Sequence, residues 1–411
     1  MMTYENAIEY LNSTASRGSQ PGLSRVTALL GLLGNPQNSV KCVHVTGTNG
    51  KGSVSRMTAS VLNAEGYKTG LFSSPYLTRV NESIMLGNEE ISDDDFAEVM
   101  DKVKPLAEGL KNPPTEFEIT TAVAFEFFRR KECDVVVLEC GMGGATDATN
   151  IIKNTKVAVF TSISMDHMDY LGTTLESIAQ VKSGIIKDGC AVVSAPCAEE
   201  VKKVLDLCAS KHNTQVYITE NVDNTETLPL RGLYQYENAG LAAEAVRKLA
   251  EKDVNLLPQN SDLLEKIIRR GLHNTKWQGR FETISEQPAI IIDGAHNPQA
   301  AVKLAESLKY YYPKKRMLFI CGMLSNKDHH GVLEVLAPMA EAIFTVSTTG
   351  ERGYGSVELA KDALEFNCNV TAADGVEEAL EVAMLMAKPK DVIVVFGTLT
   401  LLKKVKKMLN R

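Results

Sequence analysis

The chain has 411 residues, 44% of them hydrophobic, and a formal net charge of −7. That length fits about two or three domains with sizeable cores. The acidic balance argues against a general nucleic-acid or lipid surface but leaves room for a local basic site that takes an anionic ligand.

From the N-terminus, Ala7, Ile8, Tyr10 and Leu11 predict an amphipathic first helix. The opening run MMTYENAIEYLNSTASRG lacks a basic segment followed by an apolar core, so no signal peptide is expected. No run approaches the roughly 18 apolar residues of a membrane span. Strands are predicted at KCVHVT, KTGLFS, CDVVVLEC, KVAVFTSI, CAVVSA and TQVYI, then at AIIID, RMLFICG, EAIFTVS and DVIVVFG. These runs are apolar on both faces and alternate with helical patterns, which implies parallel sheets covered on both sides and an α/β architecture. LKNPPTEFE (110–118) predicts a loop before a helix, and NVDNTETLPLRG (221–232) a loop or hairpin. FETISEQP (281–288) is short, polar and ends in proline, so it marks an expected boundary between domains 1–284 and 285–411. The cysteines, at 42, 133, 140, 190, 197, 208, 321 and 368, form no C-x-x-C pair. Buried free thiols and a reducing cytoplasm are expected.

The segment VKCVHVTGTNGKGSVSRM (40–57) carries the clearest chemistry. Gly47, Gly50 and Gly52 fall between a predicted strand and helix, where backbone N–H groups and the helix dipole favour phosphate and Lys51 adds charge. The usual phosphate loop has its hydroxyl directly after the lysine; here Gly52 intervenes before Ser53. An ordinary glycine turn is the alternative. Four segments lie at or beyond other strand ends, where ligands of open parallel sheets bind. They are LFSSPYLTRVNESI, LECGMGGATDATN with Glu139, SISMDHMDYLG with His167, and the helix LESIAQVKSGIIK with Lys182. Each has a plainer reading: Glu139 as a buried hydrogen-bonded carboxylate, His167 as a loop cap, Lys182 as a solvated helix lysine. GMGGAT matches a dinucleotide fingerprint poorly, because Thr146 replaces its last glycine.

Taken in order, GTNGKGS, SSPYLTRVNESI, LECGMGGATDATN, SISMDHMDYLG, VKSGIIK, QGRFE, DGAHNP and GMLSNKD resemble the folylpolyglutamate synthase/dihydrofolate synthase family of the Mur ligase superfamily, over about residues 22–400. The inserted glycine is the normal form of that family's phosphate loop. The resemblance implies a parallel-sheet P-loop ATPase domain followed by a smaller Rossmann-like α/β domain. It implies that Asn49, Gly50, Lys51, Gly52 and Ser53 hold the ATP phosphates, that Asn238 contacts the adenine end, and that Arg280 and Asp293 reach ATP from the domain junction. Ser74, Glu139 and His167 would be magnesium ligands, joined by a carbamylated Lys182, whose sign the modification reverses. Lys51, Lys182 and His296 would be the catalytic residues, with His296 in the interdomain cleft near the incoming L-glutamate. Thr115, Phe117 and Asp147 would face the pterin. A helix cap at Thr115 and a core role for Phe117 stand beside that reading.

Three departures fall near the expected pterin and adenine pockets or the key lysine: Ala145-Thr146 where Arg-Leu is frequent, Tyr234 where His is common, and Val181-Lys182-Ser183-Gly184 around the lysine. The expected activity is ATP-dependent addition of L-glutamate to a folate or to dihydropteroate through an acyl phosphate, by a cytoplasmic monomer with no nucleic-acid or membrane partner. The alternatives are a Mur-type ligase acting on a non-pterin carboxylate and a non-catalytic ATP-binding protein.

Overall fold

The computed structural model describes residues 2–219, 228–348, 350 and 352–409, so residues 221–227 of the expected loop or hairpin lie outside the described residues. Chain contacts divide the protein into two units, Met1–Pro229 with Glu237–Thr275, and Leu230–Tyr236 with Lys276–Arg411.

The first unit is built on strands β1 (Cys42–Thr46), β2 (Thr69–Phe72), β3 (Ile84–Leu86), β4 (Glu89–Glu90), β5 (Val135–Glu139), β6 (Thr155–Phe160), β7 (Ala191–Ser194) and β8 (Val216–Ile218). They form one sheet in the order β4-β3-β2-β5-β1-β6-β7-β8. Its central pairs are parallel, and every residue of β1, β2, β5 and β7 is buried. Helices therefore cover both faces, as the uninterrupted apolar runs required. On one face, a cluster beside β2 and β5 packs Phe72, Phe96, Phe125 and Phe128, and a second cluster beside β6 and β7 packs Phe160, Ile178, Val192 and Leu205.

The helix Lys51–Ala64 is buried along Gly52 to Leu62. The helix Ser261–His273 lies against it, where Gly271 brings its backbone onto Val61 and its carbonyl accepts from Ser60 Oγ at 2.7 Å. Any β-carbon at Gly271 would strike the Val61 backbone. The helix Glu116–Arg130 begins with a capping box, in which Thr115 and Glu118 satisfy each other's backbone N–H.

The second unit holds β9 (Glu282–Glu286), β10 (Ala289–Asp293), β11 (Met317–Gly322), β12 (Ala342–Thr345), β13 (Val370–Ala372) and β14 (Val392–Gly397), in the order β13-β12-β11-β14-β10-β9. Only β9 runs antiparallel to its neighbour. Its core gathers Phe281, Phe319, Val394 and Phe396.

The expected division after residue 284 falls inside β9. The polar FETISEQP run is an edge strand paired with β10 rather than a linker, and its half-exposed side chains hide it from an apolar pattern. β3, β4 and β13 were likewise unforeseen; each has three residues or fewer, and none has the mix of β-branched and aromatic residues in TQVYI that marks the equally short β8.

Glu126 is fully buried, yet it receives Lys102 at 2.8 Å, Arg129 at 2.8 Å and Arg130 at 3.1 Å. Burial alone would raise its carboxyl; hydrogen bonds from Arg129, Lys102 and Arg130 outweigh that and hold it at about 2. Glu126→Gln should lower the unfolding free energy by about 2 kcal/mol in a urea titration near neutral pH. A depressed folded-state value means the contribution is present above the ordinary carboxylate range and lost as pH falls through about 2, so the gap between variant and wild type should close only in acid.

Candidate active site

The loop after β1 turns on two glycines in the left-handed region, Gly47 (φ 148°) and Gly50 (φ 89°). Gly50, which has no side chain to offer as a cap, stands at the start of the helix Lys51–Ala64. A β-carbon at Gly50 would come within 2.5 Å of Asn238 Oδ1, which places the buried Asn238 side chain directly against the loop. The loop is strapped to the segment after β6: Thr48 N–H donates to Ser162 O at 2.6 Å, Ser164 N–H to Thr48 Oγ1 at 3.1 Å, and Asn49 N–H to Ser162 Oγ at 3.2 Å. Ser53 is buried in the first helical turn.

Two lysines meet on this loop. Lys51 Nζ folds back to donate to Gly47 O at 3.2 Å and Thr48 O at 3.0 Å. Lys182 Nζ, from the end of the helix Leu175–Lys182, donates to the same Gly47 O at 2.7 Å. Lys182 is only 3% exposed. Burial first, and the Lys51 ammonium second, pull its ammonium down to about 7.

A glycine collar sets its position. Ala145 N–H donates to Val181 O at 2.9 Å, a β-carbon at Gly144 would lie 2.5 Å from Lys182 O, and Gly184 packs on Ala145. Ala145 and Thr146 are themselves exposed, and the contacts of Ala145 are with the turn around Lys182.

Glu139 closes β5 with 4% exposure and accepts Ser74 N–H at 3.2 Å, so the serine after β2 sits beside the carboxylate. His167 lies at the cap of the short helix Met168–Leu171 in a left-handed conformation, with its N–H on Asp166 Oδ1 at 2.8 Å. Among the described residues no three His, Cys, Asp or Glu side chains cluster as a metal cage. Magnesium does not need one: it takes one or two protein oxygens and completes its shell with phosphate and water, so the Glu139 carboxylate with the adjacent serine fits it.

The residues expected to face a pterin divide by environment. Thr115 is buried and serves as the helix cap, with Glu118 tied in turn to Arg25 at 2.9 Å. The half-buried ring of Phe117 lies over Gly141, just past β5, and 5.8 Å from the ring of Phe72. Asp147 turns into its own loop: Oδ2 accepts Met142 N–H at 2.9 Å, and Oδ1 accepts Thr149 N–H at 3.0 Å and Thr149 Oγ1 at 2.5 Å. Burial raises its carboxyl against the pull of those bonds.

Sequence reasoning missed the layer beneath. His44 Nε2 lies 2.8 Å from Thr149 Oγ1 and 3.1 Å from Cys140 Sγ. Burial, and then Lys187, pull the ring down to about 3, so the His44 that meets the Thr149 hydroxyl of the Asp147 loop is neutral. Its only sequence signal was a polar residue inside an apolar strand.

In the second unit Asp293 ends β10 and is 5% exposed. It accepts Tyr234 OH at 2.6 Å, Phe281 N–H at 2.8 Å and Ala295 N–H at 2.8 Å. Arg280 Nη1 donates to Gly279 O at 3.0 Å, and a β-carbon on Gly294 would come within 2.7 Å of it. His296 Nδ1 donates to Gly294 O at 2.8 Å, which fixes the half-buried ring.

A phosphate loop at the carboxyl edge of one parallel sheet, followed by a second α/β unit, is the pattern of an amide-forming ATP ligase, and comparison with known proteins gives the same class. Residues 45–246 match the Mur ligase middle domain and residues 279–399 the Mur ligase glutamate ligase domain. The chain is 30% identical to the dihydrofolate synthase/folylpolyglutamate synthase of Bacillus subtilis, over 99% of both chains. Its fold is similar to Mycobacterium tuberculosis folylpolyglutamate synthase complexed with ADP and AMPPCP, with TM-score 0.89, 28% identity and 99% of each chain covered. It is also similar to the bifunctional enzyme of Yersinia pestis complexed with AMPPNP and Mn ion, with TM-score 0.85, 29% identity, and 100% of this chain and 98% of that one covered. The chain belongs to the dihydrofolate synthase/folylpolyglutamate synthase family of Mur ligases.

Gly50→Ala should weaken ADP binding by at least about tenfold in calorimetry, because the new methyl meets Asn238 and the left-handed turn disfavours a β-carbon. Its loss of stability should be about 2 kcal/mol, most of it from the left-handed turn.

Proposed function

We propose that the chain is an ATP-dependent ligase that adds L-glutamate to a folate, to dihydropteroate or to both, releasing ADP and phosphate. The observation that carries this reading is the meeting of Lys51 and Lys182 on the Gly47 carbonyl, at the glycine-capped start of the helix Lys51–Ala64. The Lys51 ammonium and the N–H groups at the start of the helix make a receptor for a polyphosphate, with the buried Lys182 amine beside them. The names and ligands of the relatives supply the substrate class.

In the proposed reaction Asn49, Gly50, Gly52 and Ser53 hold the phosphates through the loop and first helical turn, and Asn238 stands at the nucleoside side. Lys51 leaves its loop carbonyls for the β/γ-phosphates as charge shifts onto the transferred group. The γ-phosphoryl passes to the substrate carboxylate; the glutamate amine then attacks the carbonyl carbon, phosphate leaves, and the amine proton is lost. A magnesium ion held by Ser74, Glu139 and His167 would neutralise phosphate charge. Arg280 and Asp293 bind nucleotide, and His296 orients glutamate. Phe117 offers an aromatic face to the pterin, while Thr115 and Asp147 shape the walls on either side.

We further infer that Lys182 is carbamylated. Its support is chemical: an amine held near 7 is substantially unprotonated at neutral pH, as attack on carbon dioxide requires. The products are a carbamate and a released proton. An anion at this place would also remove the repulsion between two adjacent ammonium groups.

With Mg-ATP and L-glutamate, the purified protein should release ADP only when dihydropteroate or tetrahydrofolate is added. Turnover with neither acceptor, but with a non-pterin acid, would overturn the folate reading. Lys182→Ala should lose at least about a hundredfold in kcat (~2.7 kcal/mol) and regain part of it with added acetate. An equally active variant would remove the carbamate proposal while leaving the ligase reading in place.

A further inference from the structure

Tyr234 stands at a position where the sequence departs from the usual family residue, and it belongs to the short 230–236 segment of the second unit. Its hydroxyl donates to Asp293 Oδ2 at 2.6 Å. The same oxygen accepts Phe281 N–H at 2.8 Å, and Oδ1 accepts Ala295 N–H at 2.8 Å. Phe281 has φ 46°, a left-handed conformation that costs a non-glycine residue about 1–2 kcal/mol. The Asp293 carboxylate thus secures a strained corner. On one side of that corner the Phe281 ring packs against Tyr311 at 5.4 Å. On the other, the Arg280 guanidinium stands over Gly294.

A carboxylate has about four acceptor positions, and three are taken by these donors. Two of the three are backbone groups that cannot rotate away. The Tyr234 hydroxyl is the only one from a side chain, and it arrives from outside the β10 turn. Gly232 allows this approach, since a β-carbon there would press on the Tyr234 ring at 3.0 Å.

We propose that Tyr234 is a positioning residue for nucleotide binding: its hydroxyl fixes the Asp293 carboxylate and, through the Phe281 corner, the direction of the Arg280 guanidinium. The inference rests on the reading that Asp293 and Arg280 bind ATP. It adds a residue which that reading did not assign. The ring serves packing and the hydroxyl serves the carboxylate, so the two roles separate in Tyr234→Phe.

Full-length Tyr234→Phe should raise both the KM for Mg-ATP and the dissociation constant of ADP about tenfold. Its kcat should stay within about twofold, its KM values for glutamate and the pteroyl acceptor should not change, and its melting temperature should fall by only a few degrees. Asp293→Asn should weaken nucleotide binding more, and adding Tyr234→Phe to it should change binding by less than about twofold, since the hydroxyl then has no carboxylate to fix. Unchanged nucleotide binding in Tyr234→Phe would overturn the proposal. So would full additivity in the double variant, or a uniform loss in every kinetic constant that tracks lowered stability. If the wild-type protein binds ADP but ligates no pteroyl acid, the substrate reading fails while the ADP arm still decides the role of Tyr234. Wild-type protein that binds no nucleotide at all would overturn both.

Discussion

Two ammonium groups share one carbonyl oxygen, that of Gly47, and most of the first unit can be understood as the framework that makes this tolerable. Lys51 reaches it from the start of a helix, and Lys182 from the end of another helix that is distant in sequence. Like charges this close repel, and repulsion is least screened where water is excluded. The deeper group gives way: burial and the Lys51 charge bring Lys182 to about 7. A site of this kind is poised for negative charge, whether from a phosphate or from a group built on the lysine itself.

Close backbone approach holds the arrangement in place. Gly144 and Gly184 let the GMGG segment lie on the main chain around Lys182, and the Thr46 hydroxyl ties that segment to the end of β1 through Gly143 O at 2.5 Å. Below it, Asp147, Thr149 and neutral His44 form a chain of side-chain hydrogen bonds that ends on the His44 ring of β1. The GMGG segment itself begins just beyond the carboxyl end of β5, where ligands of open parallel sheets bind. Rigidity comes from strands buried on both faces; chemical freedom comes from loops that no neighbouring strand must pair.

Asp293 performs a comparable task in the second unit. Its carboxylate is an anchor for backbone as much as a reactive group, holding the N–H of a left-handed phenylalanine and that of Ala295. Tyr234, noticed in the sequence only as an unusual residue, supplies the side-chain donor. Carboxylates at strand ends in both units, Glu139 and Asp293, are thus buried and hydrogen-bonded, for Glu139 as its plainer reading would have it, and this is compatible with a ligand role, because an organised acceptor need not be rearranged when a ligand arrives.

The amino-acid sequence by itself determined the α/β class, ten of the described strands and the phosphate loop, because buried strands leave apolar runs and a loop that needs left-handed turns leaves glycines. It also singled out Lys51, Ser74, Glu139 and Lys182 as candidates, through its resemblance to a known family. It could not reveal β3, β4, β9 or β13, whose stability comes from neighbours rather than from a period of their own. Nor could it decide whether Thr115 caps a helix, whether Asp147 turns inward, or that Tyr234 reaches Asp293. Those outcomes depend on which groups the folded chain brings within hydrogen-bonding distance and how much water it leaves around them. Lys182 is the clearest case: in sequence it is one more helix lysine, and only burial beside a second ammonium changes its chemistry.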